Sequence, residues 1–374
     1  MEQPIRILQL GMTNNPGGVE NFVINIYRNI DRNKIQFDFL LDHNAPKIAY
    51  EDEILSLGGK IYRQYYRRKE FFKKGRKSIK YFFKMHPEIK GVHMHANTLN
   101  PMFKVLQVAE KMKIPVRILH SHNSNYMKKL KIKDKIYEIY ESKKLKKTVT
   151  KLIACSEEAG KWMFKKNKFI VVKNGINVKD FEFDENERKA LRKKLSIENK
   201  LVIGHIGRMN YQKNPIFILE IFNEIHKMNN DAELLYIGDG ELKGEIEKFM
   251  KDKNLESSVI LMGKCEKVSE YYNVMDAFLF PSRFEGLGIA LLEAQANGIK
   301  CYTSNRVPKE TNIVGNVSYI ELNKSSKEWA DFIFNNKNER TNKNITDKFI
   351  LSGYDIKSTV LDIEKIYLEG VNKC

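Results

Sequence analysis

At 374 residues the chain exceeds what one hydrophobic core usually organises, so two domains of similar size are expected and a small disulfide-stapled module is excluded. Its 42% hydrophobic and 30% charged residues are ordinary globular values, which rules out wholesale disorder and collagen-like or low-complexity architectures. The formal charge of +18 is uneven: residues 1 to 180 carry a net +20 and the remainder −2, so any basic face for nucleic acid, anionic lipid or phosphorylated ligands belongs to the first half.

In chain order, short apolar runs of strand length alternate with longer amphipathic stretches, as in parallel sheets with helical crossovers. In the first half the runs are Ile5 to Leu10, Phe37 to Leu41, Val92 to His95, Val116 to His120, Leu152 to Cys155 and Ile170 to Val172. After a charged stretch come Leu201 to Ile206, Glu233 to Ile237, Val259 to Met262, Ala277 to Phe280 and Lys300 to Thr303. Two α/β units in tandem follow, with a linker near Lys179 to Asp184 and domains at 1–180 and 181–353. The tail 354–374 places Ile356, Val360, Ile363, Ile366 and Tyr367 at helical spacing, predicting an amphipathic final helix. Met1 to Leu10 lacks the apolar core of a signal peptide, and no run approaches the roughly 18 apolar residues that span a bilayer. Cys155, Cys265, Cys301 and Cys374 lie far apart without a CxxC pair, which argues against zinc and disulfides and for a reducing cytoplasm.

Three places carry chemistry. The first strand runs through Gly11 to Gly17 and Gly18 at a helix start, where backbone amides can approach an anion. It is not a GxGxxG, which disfavours a nicotinamide dehydrogenase. In the second unit, Gly207, Arg208 and, five residues on, Lys213 set two cations at the carboxyl end of a strand, where open α/β sheets bind ligands; they suit a diphosphate. Later, FPSRFEGLGIALLEAQANG puts Glu285 on a loop at a helix entrance and Glu293 about two turns inside that helix. Glu293 lies among Ala290, Leu291, Leu292, Ala294 and Ala296 with no Lys or Arg within four residues, so a surface ion pair does not explain it and ligand hydroxyls would suit it.

That last run resembles the Glu-x7-Glu signature of family 4 retaining glycosyltransferases. It arrives in family order with the Gly17/Gly18 loop, HMH at His93 to His95, HSHN at His120 to Asn123, ACS at Ala154 to Ser156, NGI at Asn174 to Ile176, GR with QKN, and GDG at Gly238 to Gly240. The branch most similar is that of bacterial capsule and exopolysaccharide transferases. The resemblance implies the GT-B fold, two Rossmann-like domains facing across a cleft, with the last helix returning to the N-terminal domain. It implies that Arg208 and Lys213 bind the diphosphate of a nucleotide-sugar, UDP-linked, and stabilise the leaving nucleotide. Glu285 would contact donor-sugar hydroxyls and Glu293 the ribose. Gly286, Leu287 and Gly288 would line the phosphate and sugar site, Gly238 would lie near it as a turn, and Gly17 and Gly18 would close over the diphosphate. A histidine after the fourth strand would touch the sugar near the reacting carbon; His120 and His122 both offer themselves, with His122 preferred. Where many relatives carry a paired-glycine turn and an acid, this chain reads SNRVPKE at Ser304 to Glu310. No DxD-type run marks a metal-diphosphate site, so no metal and no cofactor are expected.

From Lys60 to Lys80 ten basic residues face one acid, interleaved with Tyr62, Tyr65, Tyr66, Phe71, Phe72 and Ile79; ten more lie between Lys128 and Lys151 against three acids. This pattern predicts an interfacial helix on anionic lipid, peripheral to the cytoplasmic membrane, where a lipid-linked saccharide acceptor would be met. A nucleic-acid-binding protein would use the same cations but leaves Glu285 and Glu293 unexplained, and nucleic acid is not an expected partner. An inactive transferase-like scaffold is the remaining alternative.

Overall fold

The computed structural model of the chain describes residues 3–65, 74–96, 98–99, 102–126, 131–265, 267–336, 340–341 and 344–372. Each apolar run becomes a parallel strand, and the amphipathic stretches between them become the crossovers. The chain divides into two units, Met1–Gly175 with Ile356–Cys374, and Ile176–Asp355.

The first unit contains β1 (Ile5–Leu10), α1 (Gly18–Asn29), β2 (Ile35–Asp42), α2 (Glu51–Ser56), β3 (Lys60–Gln64), α3 (Arg76–Met85), β4 (Ile89–Ala96), α4 (Phe103–Lys111), β5 (Val116–Ser121), α5 (Ile132–Ser142), α6 (Leu145–Thr148), β6 (Lys151–Ala154), α7 (Glu157–Phe164) and β7 (Ile170–Val171). Its sheet runs β3-β2-β1-β4-β5-β6-β7, so the strand order reverses beside β1 as in a doubly wound Rossmann-like fold.

The second unit contains a 3-10 turn (Val178–Phe181), α8 (Glu185–Leu195), β8 (Leu201–Ile206), α9 (Pro215–Met228), β9 (Ala232–Ile237), α10 (Lys243–Asp252), β10 (Val259–Gly263), α11 (Val268–Tyr272), β11 (Ala277–Phe280), α12 (Ile289–Ala296), β12 (Lys300–Ser304), β13 (Val317–Ile320), α13 (Ser326–Asn335) and α14 (Ile345–Leu351). Its parallel sheet runs β10-β9-β8-β11-β12-β13, with the reversal between β8 and β11. The chain then re-enters the first unit as α15 (Ile356–Asn372), which packs on α1, β4 and β5. This is the return expected of the final helix.

One face of the first sheet sets up the chemistry. Parallel register pairs Gln9 with His93 and His95 with His120, and side chains alternate with period two, so Gln9, His93, His95 and His120 share a face. Toward the amino ends that face is apolar, with Ile7 and Ile118 packed in one cluster with Phe22 and Tyr27 of α1 and Ile363 and Tyr367 of α15. At the carboxyl ends it turns polar.

Three expectations are corrected. Lys60 to Lys80 is not one interfacial helix: Lys60–Gln64 pairs with β2 as an edge strand, Tyr65 stacks on His43, and Ile79 is buried with Phe82 and Phe83 on the inner face of α3. Tyr66, Phe71 and Phe72 lie outside the described residues, as do Lys128 and Cys374. Because β3 was not anticipated, the strand ending at the HSHN motif is the fifth. The unit boundary follows Gly175, and the stretch expected to be the linker begins as the Val178–Phe181 turn, held in the second unit by Asn297 Nδ2 donating to Phe181 O at 2.9 Å. Among the described residues no helix is long and apolar enough to cross a membrane.

Candidate functional site

In the second unit the loops after β8, β9 and β11 meet above the carboxyl edge of the sheet, at its switch point. Gly207 N donates to Ile237 O at 2.9 Å, and Gly238 adopts φ +144 with its α-carbon so close that an added Cβ would lie 2.0 Å from Gly207 O. Only glycine fits there. Met209 N bonds Asp239 O at 3.0 Å, so the Gly207–Met209 loop and the GDG turn form one platform. Arg208 stands exposed on it, 3.5 Å from Glu241.

Farther along, Asn210 Oδ1 accepts from Lys213 N at 3.1 Å and fixes the loop that carries Lys213. Lys213 Nζ then lies 2.7 Å from Glu285 Oε1 and 4.5 Å from the Phe280 ring centre. Gln212 Nε2 donates to Glu285 Oε2 at 3.1 Å and to Phe284 O at 3.0 Å. Glu285, only 4% exposed, is thus held by a cation and an amide. Gly288, at φ +94, turns the chain into α12 behind Gly286 and Leu287.

Glu293 is buried on α12. Its partner is Tyr272, whose hydroxyl donates to Oε2 at 2.7 Å. Burial pushes the Glu293 carboxyl up to about 7, against the Tyr272 hydrogen bond and the charge of Lys213, which hold it down. Lys213 therefore acts on both carboxylates, and Lys213, Glu285 and Glu293 form one group, with Arg208 and Gly238 on the adjoining platform. The SNRVPKE stretch closes the same edge: Ser304 Oγ donates to Ser282 O at 2.5 Å, and Val307 packs beside Gly288.

In the first unit, Gly11 at φ +113 passes so near β4 that a Cβ would meet His95 O at 2.3 Å. Thr13 donates to Glu20 Oε1 through both N (2.9 Å) and Oγ1 (2.7 Å), bracing the turn that delivers Gly17 to the N-cap of α1 and Gly18 to its first residue. Beneath lies a compact group of imidazoles. His93 Nδ1 is 2.6 Å from the Tyr367 hydroxyl and Nε2 3.2 Å from His120 Nδ1; His95 Nε2 is 2.9 Å from Gln9 Oε1 and Nδ1 2.9 Å from His122 Nε2. Phe22 of α1 packs edge-on against His95, His120 and His122. Burial drives His93, His95 and His120 well below the usual imidazole range, with mutual repulsion adding to it, and pushes His122 down to about 3. All four are neutral at physiological pH. His120 is fully buried, whereas His122 is half-buried at the end of the strand. Nitrogens of His93, His95 and His120 come within 4.8 Å of one another, close enough to share an ion. Five of their six nitrogens are already hydrogen-bonded.

Sequence reasoning passed over Gln212, Tyr272, Gln9 and Tyr367. Gln212 stood inside the QKN motif, and Gln9 interrupts an otherwise apolar strand, a signal that was available. Tyr367 was read as part of an apolar stripe, and nothing local marks Tyr272.

Loops gathered at the switch point of a doubly wound sheet mark a ligand site, and comparison with known proteins gives the class of enzyme that carries it. The profile described as "Glycosyltransferase Family 4" matches residues 16–180, and that described as "Glycosyl transferases group 1" matches residues 187–345. EpsF of Bacillus subtilis (strain 168), named as a glycosyltransferase, is 31% identical over 337 residues, 88% of this chain and 86% of EpsF. The Staphylococcus aureus capsular polysaccharide biosynthesis glycosyltransferase CapH is 25% identical over 97% of this chain and 99% of its own length. The Escherichia coli UDP-Gal:alpha-D-GlcNAc-diphosphoundecaprenol alpha-1,3-galactosyltransferase is 28% identical over 57% of each chain. Among solved structures, Anabaena HepE in complex with UDP and glucose superposes with a TM-score of 0.75 at 15% identity, covering 96% of this chain and 98% of HepE. The chain belongs to family 4 of the GT-B glycosyltransferases.

Proposed function

We propose that the chain transfers a hexose or N-acetylhexosamine from a UDP-linked donor to a lipid-linked saccharide, with retention at the anomeric carbon and without a metal, in bacterial capsule or exopolysaccharide synthesis at the cytoplasmic membrane surface. The observation that carries this is the Lys213–Glu285 pair at 2.7 Å, held by Gln212 on the carboxyl edge of the second sheet. Each group orients the other before substrate arrives. With a donor bound, the ammonium turns to the diphosphate and the carboxylate to sugar hydroxyls. As the glycosidic bond breaks, negative charge grows on the leaving phosphate, and Lys213 with Arg208 stabilises it more in the transition state than in the ground state. Glu293 accepts from ribose hydroxyls, and the amides of Leu287 and Gly288 at the start of α12 favour an anion. Gly17 and Gly18 offer amides of the same kind at α1.

Glu285 is engaged by Lys213 and Gln212 and is not assigned as a nucleophile. Retention then calls for the acceptor hydroxyl to attack on the face the phosphate leaves, the phosphate oxygen taking its proton. UDP as the carrier is supported by the ligand named with HepE, and a lipid-diphosphate acceptor by the name of the Escherichia coli relative. A membrane surface is supported by α5, whose Ile132, Ile136, Ile139 and Tyr140 are 58 to 78% exposed on one face, beside Lys131, Lys135 and Lys143. A nucleic-acid reading uses those lysines but gives the two glutamates nothing to do.

The test is a panel of UDP- and GDP-sugars assayed for hydrolysis and transfer, each with and without EDTA. The expected result is turnover of a UDP-sugar indifferent to EDTA, with Lys213→Ala lowering kcat by roughly 10²- to 10³-fold. Turnover unchanged in that variant, or abolished by chelation, would sink the assignment.

A further inference from the structure

The imidazole group of the first unit has a direction, and one amide sets it. Gln9 Oε1 lies 2.9 Å from His95 Nε2, and Gln9 Nε2 lies 3.3 Å from the Tyr367 hydroxyl. An amide oxygen can only accept, so His95 carries its proton on Nε2 and leaves Nδ1 as a lone pair. His122 Nε2, 2.9 Å from that lone pair, must donate, so its Nδ1 is bare. On the other branch the Gln9 amino group can only donate, so Tyr367 O accepts and its own proton goes to His93 Nδ1 at 2.6 Å. His93 then holds its proton on Nε2 and donates to His120 Nδ1 at 3.2 Å, which places the His120 proton on Nε2. The two nitrogens at the ends of the chain, His120 Nε2 and His122 Nδ1, are buried and make no hydrogen bond, and their rings are 4.0 Å apart between centroids. Turning the Gln9 amide over would invert every proton in both branches, giving His122 the N–H and His120 the lone pair.

We infer that Gln9 and Tyr367 are positioning residues: acting through His95 and His93, they fix His122 and His120 as Nε2–H tautomers, so that His122 presents a lone pair and His120 an N–H. This rests on the reading that His122 meets the donor sugar. That nitrogen is covered in the ligand-free chain; a sugar hydroxyl that displaces the cover can donate to the His122 lone pair, whereas the opposite tautomer would meet it with a proton. The arrangement also gives the last helix a part in the site, because Tyr367 comes from α15 while Gln9 comes from β1. Holding a neutral ring in one tautomer by a second residue is a recurrent way to align an imidazole that touches substrate.

Long-range 1H–15N correlation spectra of the full-length, ligand-free protein labelled at histidine read tautomers directly. His120 and His122 are expected as neutral Nε2–H rings at pH 7. Gln9→Leu should mix the tautomers of both, and Tyr367→Phe should disturb His93 and His120 while sparing His122, a split that a merely structural effect would not produce. Gln9→Leu should lower kcat by roughly ten- to a hundredfold, with the donor KM within about threefold of wild type. His122 found with its proton on Nδ1, or spectra and kcat unmoved by Gln9→Leu, would overturn the inference. The two failures separate: an inactive wild-type chain with the stated tautomers rejects the transferase reading, and an active one with His122 in the other tautomer rejects the positioning role.

Discussion

Glu293 pits binding against stability. A carboxylate set among alanines and leucines on α12 is disfavoured unless something compensates its charge, and Tyr272 with the field of Lys213 does so only in part, because the group still rises to about 7 from 4.5. The folded-state value lies above the unfolded one. Its favourable contribution is therefore complete below about pH 4.5 and is lost as pH climbs through 7, a penalty of about 3 kcal/mol at pH 8 if the whole shift is realised. Glu293→Gln keeps the shape and removes the charge. The ligand-free variant is expected to be more stable than wild type at pH 8 by about 1–3 kcal/mol and nearly equal at pH 4.5, while binding UDP more weakly. Urea denaturation at the two pH values, with and without UDP, checks it; a variant less stable at pH 8 would mean that the ionised form is already well satisfied. The sequence made Glu293 conspicuous because no cation stood within a turn of it. Tyr272 was invisible, since a contact between α11 and α12 has no local signature.

Elements were legible where the apolar period was clean and failed where composition carried two meanings. The strands of the two sheet centres match runs of β-branched and aromatic residues to within a few positions. β3 was missed because Lys60–Gln64 is an edge strand with three polar residues in five, and its charge merged with the basic segment that follows. The ACS motif turns out to be a helix cap: Ser156 Oγ accepts from Ala159 N at 3.1 Å and starts α7. Whereas α3 turns Ile79, Phe82 and Phe83 inward, the longest exposed apolar stripe beside basic residues among the described residues is on α5, inside the second basic stretch. That helix is anchored on its inner side by Glu141, which pairs with Lys104 and accepts from Gln107 Nε2 at 2.5 Å, and it leaves its isoleucines outward. An apolar stripe rimmed by lysines matches the boundary of an anionic bilayer. Ile136→Glu with Ile139→Glu is expected to cut co-flotation with phosphatidylglycerol vesicles at least about tenfold, equivalent to ~1.4 kcal/mol, and to leave hydrolysis of soluble donor unchanged. Flotation equal to wild type, or equal on zwitterionic vesicles, would place the basic charge in some other role.

At the scale of the molecule, two α/β units in tandem and a final amphipathic helix were readable from the sequence. The boundary at Gly175 was not, because the chain leaves the first unit through a short irregular stretch whose hydrogen bonds are made to residues far along the chain: Gly175 N to Thr359 Oγ1 at 2.9 Å, and Ile176 N to Tyr354 O at 3.0 Å. Sequence spacing cannot show a bond across about 180 positions. The topology has an energetic consequence. α15 buries Ile356, Val360, Ile363, Ile366 and Tyr367 in the first unit, and at about 1.5–3 kcal/mol per large apolar side chain their removal forfeits on the order of 10 kcal/mol, comparable to the whole stability of a domain. Residues 176–355, by contrast, form one continuous stretch with its own two core clusters. Ending the chain after Asp355 should therefore unfold the first unit and leave the second folded and able to bind UDP. Calorimetry is expected to lose one of two transitions, and limited proteolysis to leave a resistant core within 176–355 that UDP still protects. A truncated chain that keeps both transitions within a few degrees would show that the sheet of the first unit is stable without the helix, and that Tyr367 is retained for the histidine chain alone.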